Sequence, residues 1–356
     1  MIKERVLKLQ QVLKADEAFL VSSDSNRFYL TGFNSSAGTV LITKFDAVFF
    51  IDFRYFEKAK NTVESCQVTL LNKGAQQTYD FLKDKKIKTV FIENSFVNIS
   101  EYARLENIFD GIKISKDNVL DTNLNKMRAV KTPDELKLIK RAQSLTEQTF
   151  DYILPRITAN RSEREIMLDM EFFLRELGAE GVAFDFIVVS GKNSSLPHGV
   201  PTDKKIEQGD FITMDFGAVV GGYCSDMTRT VALGNITDEQ RFVYDTTLKA
   251  QLAAIEKIKS GAVCGDIDKI SRDIIYNAGF KGCFGHSLGH SVGIDVHEAP
   301  NLSPDNKSVL QVGNVVTVEP GIYLENKFGV RIEDMVCVTQ NGCENLTKSP
   351  KELIIL

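Results

Sequence analysis

Two aspartates embedded in apolar, β-prone sequence constrain this chain more strongly than any other feature. In residues 211–233, FITMDFGAVVGGYCSDMTRTVAL, Asp215 and Asp226 flank a glycine-rich turn, and their midpoint falls between Val220 and Gly221. An antiparallel hairpin folded at that midpoint places the aspartates opposite each other, with Cβ atoms about 5 Å apart. Because like charges directly opposite one another are destabilising, the hairpin predicts a positive group between the two carboxylates.

A second acidic pair has the same arrangement. In residues 315–338, VVTVEPGIYLENKFGVRIEDMVCV, Glu319 and Glu333 are symmetric about Asn326, which lies in a turn-like Glu-Asn-Lys segment. Unrelated surface acids would explain one such pair, since most Asp and Glu residues are exposed, but they explain two pairs in apolar strand contexts poorly. The two hairpins together predict a buried metal site.

Every histidine of the chain lies in its second half, at His198, His286, His290 and His297. His286 and His290 have HxxxH spacing, but the glycines around them argue against a regular helix, so we expect an extended or looped segment. The absence of HExxH excludes the helical zinc-protease arrangement. His198 lies in a Pro-His-Gly turn, where a lone histidine is usually just exposed.

The number and type of these side chains indicate the metal. Four carboxylates and one imidazole carry four negative charges, which balance two divalent ions and over-supply a single tetrahedral zinc. Oxygen-rich ligands favour Mn²⁺ or Co²⁺ over a structural zinc. Two such ions about 3.5–4 Å apart can hold a bridging hydroxide and polarise a carbonyl at once, which suits hydrolysis of an amide.

Length and composition exclude other classes. A chain of 356 residues predicts two domains, and a net charge of −5 offers no basic surplus for a nucleic-acid partner. The sequence contains no apolar run of about 18 residues, so we predict no membrane span. Residues 1–14 predict an amphipathic helix that lacks the apolar core of a secretory signal. The six cysteines have no metal-binding spacing and predict reduced thiols in a cytoplasmic protein.

Strand and helix signals divide the chain near Asp121. We predict an α/β domain over residues 1–121, a linker over 122–135 and an α+β domain of helix-covered antiparallel hairpins over 136–356. The predicted strands of the first domain are Ala18–Ser22, Thr39–Ile42, Ala47–Ile51, Val68–Leu71 and Thr89–Ile92. Those of the second are Phe184–Ser190, Phe211–Asp215, Ser225–Ala232, Asn314–Pro320 and Val330–Thr339.

Helix starts in the second domain are marked by capping boxes. Thr132 with Glu135 and Ser162 with Glu165 each match the Ser/Thr-x-x-Glu pattern. Two further helices are predicted, one after Thr237 and one from about residue 266.

At these residues the chain resembles the pita-bread metallopeptidases, most closely their proline-specific branch of Xaa-Pro dipeptidases and aminopeptidases P. The similar blocks are Pro197–Gly199, Met214–Gly217, Tyr223–Thr230, Val296–Pro300, Glu319–Tyr323 and Val330–Asp334, with Asn26–Phe33, Asp52–Tyr55 and Lys131–Glu135 in the first part of the chain. The resemblance implies an α+β pita-bread catalytic domain preceded by a smaller α/β domain of the creatinase type. The chain departs from the family's usual pattern at Ser287 and Ser291, where glycine is common.

The resemblance also implies a ligand set for two divalent ions, Mn²⁺ first and Co²⁺ or Zn²⁺ as alternatives. Asp215 would bind one ion, His290 and Glu319 the other, and Asp226 and Glu333 would bridge the two.

Further roles follow from the same resemblance. Glu319 would carry the proton from water to the leaving nitrogen. His198 and His297 would stabilise the tetrahedral intermediate and position the substrate carbonyl. His286 and Arg331 would contact the substrate, and Arg331 would bind the carboxylate end of the substrate.

The implied activity is hydrolysis of the Xaa-Pro bond of small proline-containing peptides by a cytoplasmic homodimer. Xaa-Pro dipeptidase is the first reading, and aminopeptidase P acting on longer peptides is the alternative. A methionine aminopeptidase fits less well because of the additional domain and the Val296–Pro300 block. A metal-free creatinase-like amidinohydrolase and an inactive binding protein on the same fold are disfavoured because no expected ligand is missing.

Overall fold

The computed structural model describes residues 2–356. It contains two compact units, an N-terminal unit that ends at Arg128 and a C-terminal unit, Ala129–Leu356. A helix, Val119–Ala129, occupies much of the segment predicted as a linker. Among the described residues, no helix is both long enough and apolar enough to cross a membrane.

The N-terminal unit alternates helices with short strands. Its helices are α1 (Ile2–Val12), α2 (Asp24–Thr31), α3 (Phe53–Thr62), α4 (Ala75–Asp84), α5 (Ile99–Ile108) and α6 (Val119–Ala129). Its strands are β1 (Glu17–Val21), β2 (Thr39–Thr43), β3 (Ala47–Ile51), β4 (Gln67–Leu70), β5 (Thr89–Ile92) and β6 (Lys113–Ser115). Within the described residues these strands form one mixed sheet in the order β4-β3-β2-β1-β5-β6. Each predicted strand is present to within one residue, and β6 was not predicted.

Burial explains why these strand predictions succeed. Leu20, Leu41 and Val90 are buried on the sheet, and Leu82 of α4 and Leu105 of α5 pack in the same core. Near-continuous apolar runs are typical of strands whose two faces are both covered, so their positions are evident in the sequence.

The C-terminal unit is built from long helices and antiparallel strands. Its helices are α7 (Pro133–Ile153), α8 (Glu163–Glu176), α9 (Asp238–Lys257) and α10 (Cys264–Asn277), with 3₁₀ turns at Leu154–Arg156 and Gly191–Ser195. Its strands are β7 (Gly181–Val182), β8 (Ile187–Ser190), β9 (Phe211–Phe216), β10 (Ala218–Val220), β11 (Tyr223–Cys224), β12 (Met227–Ala232), β13 (Gly289–Ser291), β14 (Glu298–Leu302), β15 (Val315–Val318), β16 (Gly321–Leu324), β17 (Phe328–Arg331), β18 (Asp334–Val338) and β19 (Cys343–Asn345).

Two helix pairs cover these strands. In the described chain the sheets have the orders β12-β9-β8, β11-β10-β7, β14-β13-β15-β18-β19 and β16-β17. Met170 of α8 packs in one core with Ile212 of β9, whereas Val243 of α9 and Ile267 of α10 share a second core with Val316 of β15. The predicted architecture of helix-covered antiparallel hairpins is confirmed.

Both predicted capping boxes are formed. The Thr132 hydroxyl accepts a hydrogen bond from the Glu135 amide, and the Glu135 carboxylate accepts one from the Thr132 amide. Ser162 and Glu165 make the same reciprocal pair at the start of α8. The local signal at these positions is sufficient because each box is completed within one turn of helix.

One predicted strand is wrong in a way that matters for the site. Residues 330–339 were expected to form a single strand, but the chain changes partner at Ile332 and Glu333 and separates β17 from β18. At this break the Glu333 amide donates to the carbonyl of Thr228, in the other half of the unit, at 3.1 Å. The short strands β13 and β14 were not predicted, since their residues include glycine, histidine and proline.

Candidate metal centre

The first acidic hairpin closes one residue later than predicted. Val220 pairs with Tyr223, so the turn consists of Gly221 and Gly222. Both glycines have positive φ values, +57° and +73°. This two-residue turn matches the twist of a hairpin and requires residues that tolerate the left-handed region.

The later turn changes the predicted pairing of the aspartates. Asp215 on β9 lies opposite Thr228 on β12, whereas Asp226 lies before β12 begins. The expected direct opposition of Asp215 and Asp226 is therefore wrong. They are diagonal neighbours instead, because Asp226 is two residues from Thr228 and side chains two apart in a strand point to the same face.

The second acidic hairpin has the predicted register. Val318 pairs with Asp334, and the same register continues beyond the strand break, so Glu319 and Glu333 fall opposite each other. The turn is centred on Asn326, whose φ is +60°. Asparagine tolerates this left-handed conformation better than most residues, so the sequence indicated the turn correctly.

His290 lies on β13 and joins the carboxylates. Its Nε2 is 3.3 Å from Oε1 of Glu319 and 3.6 Å from Oδ2 of Asp226. Its Nδ1 is 3.2 Å from the carbonyl oxygen of Ser291. A proton on Nδ1 would donate to that carbonyl and leave Nε2 free as a ligand atom, which is how metal-binding histidines are usually oriented. Ligand atoms of Asp226, His290 and Glu333 all lie within 4.8 Å of one another.

The electrostatics of this cluster fit divalent cations. Burial raises the pKa of Asp226 well above its usual range, and the charges of Glu333 and Asp215 raise it further. Burial, followed by the charges of Glu319 and Asp215, likewise raises the pKa of Glu333. Oδ1 of Asp215 and Oε1 of Glu333 are buried without a hydrogen-bond partner. Buried oxygens without partners are costly, and a bound cation would satisfy them.

The contact between Glu319 and His290 favours the charged form of both side chains. Burial tends to raise the pKa of Glu319, but the hydrogen bond and charge of His290, together with the charges of His286 and Arg331, lower that pKa. Burial tends to lower the pKa of His290, but the hydrogen bond and charge of Glu319, together with the Ser291 carbonyl and the charge of Asp215, raise that pKa. The Thr317 hydroxyl also donates to Oε1 of Glu319 at 3.2 Å, which helps to orient the carboxylate.

Arg331 lies on β17 and is buried beside the cluster. Its guanidinium donates to Oδ2 of Asp215 at 2.6 Å, the Tyr323 hydroxyl at 2.9 Å, the Thr228 hydroxyl at 3.0 Å and the Pro197 carbonyl at 3.1 Å. Burial lowers the pKa of Arg331, but its electrostatic interactions with Tyr323 and Asp215 hold that pKa well above the usual value. Arg331 therefore stays charged and fixes Asp215.

Tyr323 was not predicted as a site residue. Its hydroxyl lies 3.0 Å from Nε2 of His286 as well as accepting from Arg331. The second nitrogen of His286 is 2.8 Å from the Ser287 carbonyl, and burial lowers the pKa of this histidine. Tyr323 follows Glu319 by four residues in Glu-Pro-Gly-Ile-Tyr, and its place at the end of that block was the available signal.

All predicted site residues line one cavity of about 620 Å³. They are Asp215, Asp226, His290, Glu319, Glu333, His198, His286, His297 and Arg331. His198 and His297 are solvent-exposed at its edge, and the ring centroids of His297 and His290 are 4.3 Å apart. Asp185 and Asn301 also line the cavity and were not predicted. Ser287 lines it too, whereas Ser291 is buried and donates to the Val315 carbonyl.

Each of the two units matches the model of a known protein family. Residues 137–340, over half of the chain, match the model of metallopeptidase family M24. Residues 5–130 match the creatinase/prolidase N-terminal domain.

Individual relatives cover nearly the whole chain. The protein is 35% identical to the Xaa-Pro dipeptidase of Pyrococcus furiosus over 99% of this chain and 100% of the relative. It is similar to the solved Xaa-Pro dipeptidase from Bacillus anthracis, with 39% identity, 100% and 99% coverage and a TM-score of 0.93. It is also similar to the X-Pro aminopeptidase from Thermotoga maritima, with 37% identity, 98% and 100% coverage and a TM-score of 0.90. The predicted pita-bread fold and N-terminal domain are confirmed, and the chain belongs to metallopeptidase family M24, whose members use divalent metal ions.

Proposed function

We propose that this protein is an Xaa-Pro dipeptidase that hydrolyses the bond before proline in small peptides. The observation that carries the proposal is the buried or half-buried set of four carboxylates and His290 at one cavity, with Arg331 and three further histidines around it. The similarity to the dipeptidases of Pyrococcus furiosus and Bacillus anthracis supports the proline preference.

We propose that the site holds two divalent ions, with manganese as the physiological metal. Asp215 would hold one ion and His290 with Glu319 the other, while Asp226 and Glu333 would serve both. The carboxylate-rich donor set supports manganese because hard oxygen ligands suit Mn²⁺. Ions bound there supply positive charge that lowers the pKa of water and polarises a carbonyl.

The proton path would use Glu319. Its carboxylate would accept the proton that leaves the attacking water, while the water oxygen bonds to the carbonyl carbon. The same carboxylic acid would then donate that proton to the proline nitrogen as the carbon–nitrogen bond breaks. His198 and His297, at the edge of the cavity, would donate hydrogen bonds to the carbonyl oxygen as negative charge develops there.

The substrate would be oriented by His286 and Arg331. Arg331 would attract the terminal carboxylate of the dipeptide, and its bonds to Asp215 and Tyr323 would keep the guanidinium in place. A proline residue has no amide hydrogen and a fixed φ, so such a site must seat the ring rather than bind an extended peptide backbone.

Activity against matched peptides tests this proposal. After EDTA treatment, we expect Ala-Pro hydrolysis to stop and to return with Mn²⁺, with Co²⁺ and Zn²⁺ tested in parallel. Ala-Pro-Ala distinguishes the second candidate, an Xaa-Pro aminopeptidase, which the similarity to the Thermotoga maritima enzyme favours. Turnover of the tripeptide alone would replace the dipeptidase by the aminopeptidase, and activity that is indifferent to metal would contradict both.

We also propose a cytoplasmic homodimer. All six cysteines lie in the described chain as free thiols, which suits a reducing compartment. The dimer rests on the family resemblance. Light scattering of the purified protein would test it, and a monomeric mass at micromolar concentration would overturn it.

A further inference from the structure

A buried ion pair joins the start of α7 to the cavity wall. Nζ of Lys131 lies 3.1 Å from Oε2 of Glu298, and the two side chains are 1% and 6% exposed. Burying two charges is costly unless their geometry is good and their remaining hydrogen-bonding groups are satisfied. A buried pair of this kind therefore suggests a specific structural role. Glu298 directly follows His297 in the chain, which places the pair next to a proposed site residue.

Glu298 uses its other oxygen to organise the loop that carries His297. Oε1 accepts the amides of Ile294 at 2.9 Å and Asp295 at 3.2 Å. A Cβ atom at Gly293 would lie 2.5 Å from both Glu298 oxygens, so any other residue here would have to displace the Glu298 carboxylate. The carboxylate is thus the centre around which residues 293–298 are folded.

The opposite side of this loop is attached to the first acidic hairpin. The Cys224 amide donates to the Gly293 carbonyl at 2.7 Å, and the Cys224 thiol lies 3.3 Å from the Ile294 carbonyl. Cys224 precedes Asp226 by two residues. The loop is therefore held between the aspartate hairpin and the Lys131 ammonium, with His297 at its end.

Lys131 itself is anchored by the backbone. Its amide donates to the Gly313 carbonyl at 2.9 Å, and the side chain of Asn314 donates to the Ala129 carbonyl at 2.9 Å. The next residue, Thr132, caps α7. These contacts give the ammonium a defined origin, so its position can define that of Glu298.

We propose that Lys131 is a positioning residue for the peptidase reaction. Acting through Glu298, it holds residues 293–298 so that His297 faces the carbonyl of the substrate. The proposal rests on the proposed function, because it gives His297 a role in the reaction. Lys131 touches neither substrate nor reacting atoms, and its effect is carried by the loop.

The first test is Lys131→Met, which keeps a long unbranched side chain and removes its charge. We expect kcat to fall by about 10- to 100-fold, since a displacement of about 1 Å can cost that much. Mn²⁺ affinity measured by calorimetry should stay within about twofold, because the lysine touches no proposed ligand. Lys137→Met, in the first turns of α7, is the matched control, as the Lys137 side chain is exposed and pairs with Asp134. It should leave kcat unchanged.

A mutant cycle separates positioning from a general loss of structure. In a His297→Ala background, Lys131→Met should cause no further loss of kcat, because the group that it positions is gone. Losses that multiply, or a Lys131→Met enzyme with wild-type kcat, would overturn the proposal. If Lys131→Met does not fold, Glu298→Gln takes its place in the same cycle.

Hydrogen exchange gives a readout that does not depend on activity. In Lys131→Met, the amides of Ile294 and Asp295 should exchange at least about tenfold faster than in wild type, while α9 keeps its protection. Unchanged protection at these two amides would overturn the proposal even if kcat falls. A wild-type protein that hydrolyses no Xaa-Pro peptide would instead overturn the proposed function, and the exchange result would still show whether Lys131 holds the loop.

Discussion

Arg331 shows how one side chain can serve several groups of a buried site. It is buried among the carboxylates, and its fork of donors reaches Asp215, Tyr323, Thr228 and the backbone of Pro197. A lysine would place its charge nearby but could not reach these acceptors with fixed directions. The arginine therefore holds Asp215 in place and leaves Oδ1 of that carboxylate, which has no hydrogen-bond partner, for the proposed metal ion.

Removing only the Tyr323 hydroxyl tests this local network. Tyr323→Phe keeps the ring but takes away the acceptor for Arg331 and the partner of His286. We expect kcat/KM to fall about tenfold and the free energy of unfolding to fall by roughly 1–3 kcal/mol, the cost of a buried donor left without its acceptor. Steady-state kinetics and urea titration measure the two effects.

Tyr79→Phe is the control for the tyrosine substitution, because Tyr79 also donates one hydrogen bond, to the Asp110 carbonyl, but lies in the N-terminal unit. It should leave kcat/KM unchanged. Wild-type kinetics in Tyr323→Phe would remove the hydroxyl from the proposed site.

At the level of elements, the two acidic hairpins differ in how well the sequence predicts them. The hairpin centred on Asn326 has the register that symmetry about the turn indicates. The other is shifted by one residue, because Gly221 and Gly222 form the turn, one residue later than the midpoint of the aspartates indicated. Both residues of such a turn need a positive φ, which glycine tolerates and valine does not, so the glycine pair was a better guide to this register than the symmetry of the aspartates.

The capping box of α8 predicts a pH effect. The pKa of Glu165 is about 2 rather than 4.5, because its carboxylate accepts the Ser162 amide and a bond from Lys205. A pKa that is lower in the folded state gives stability that is complete above about pH 4.5 and is lost as the pH falls towards 2. Glu165→Gln should therefore be less stable than wild type at about pH 6, with a smaller difference at about pH 3.5.

Urea titration at both pH values measures this difference. Glu176→Gln, an exposed residue at the other end of α8, is the control and should show no comparable change. A difference for Glu165→Gln that stays the same at both pH values would contradict the assigned pKa.

For the whole molecule, the decisive arrangement is the meeting of two halves of the C-terminal unit. Asp215 and Asp226 come from one acidic hairpin, Glu319 and Glu333 from the other, and the Thr228 hydroxyl donates to Glu333 at 2.7 Å between them. Each hairpin by itself would bring together two negative charges. Their proximity in one cavity is stabilised when cations bind, so metal binding and folding of this unit should be coupled.

A thermal shift tests this coupling. Free Mn²⁺ at about one hundred times its Kd should stabilise the EDTA-treated protein by roughly 2.7 kcal/mol and raise Tm by about 5–10 °C for each ion bound. Asp226→Asn should abolish activity and most of this shift. Its metal-free form should melt no lower than metal-free wild type, because the substitution removes a buried charge that its neighbours repel.

Asp203→Asn, at an exposed position, should behave like wild type in the same experiment. Equal metal-induced shifts in Asp226→Asn and wild type, measured by differential scanning fluorimetry, would show that Asp226 is not a ligand.

Local sequence was sufficient to predict the acidic pairs, the clustering of the histidines, the capping boxes of α7 and α8 and the strands β1 to β5, because each depends on residues that are near one another in the chain. Contacts between distant residues became evident only in the folded chain: the exchange of strand partner at Glu333, the placement of Tyr323 between Arg331 and His286, and the contact of Lys131 with Glu298. Such contacts depend on loop paths and on which sheet faces which, and neither leaves a local pattern in the sequence.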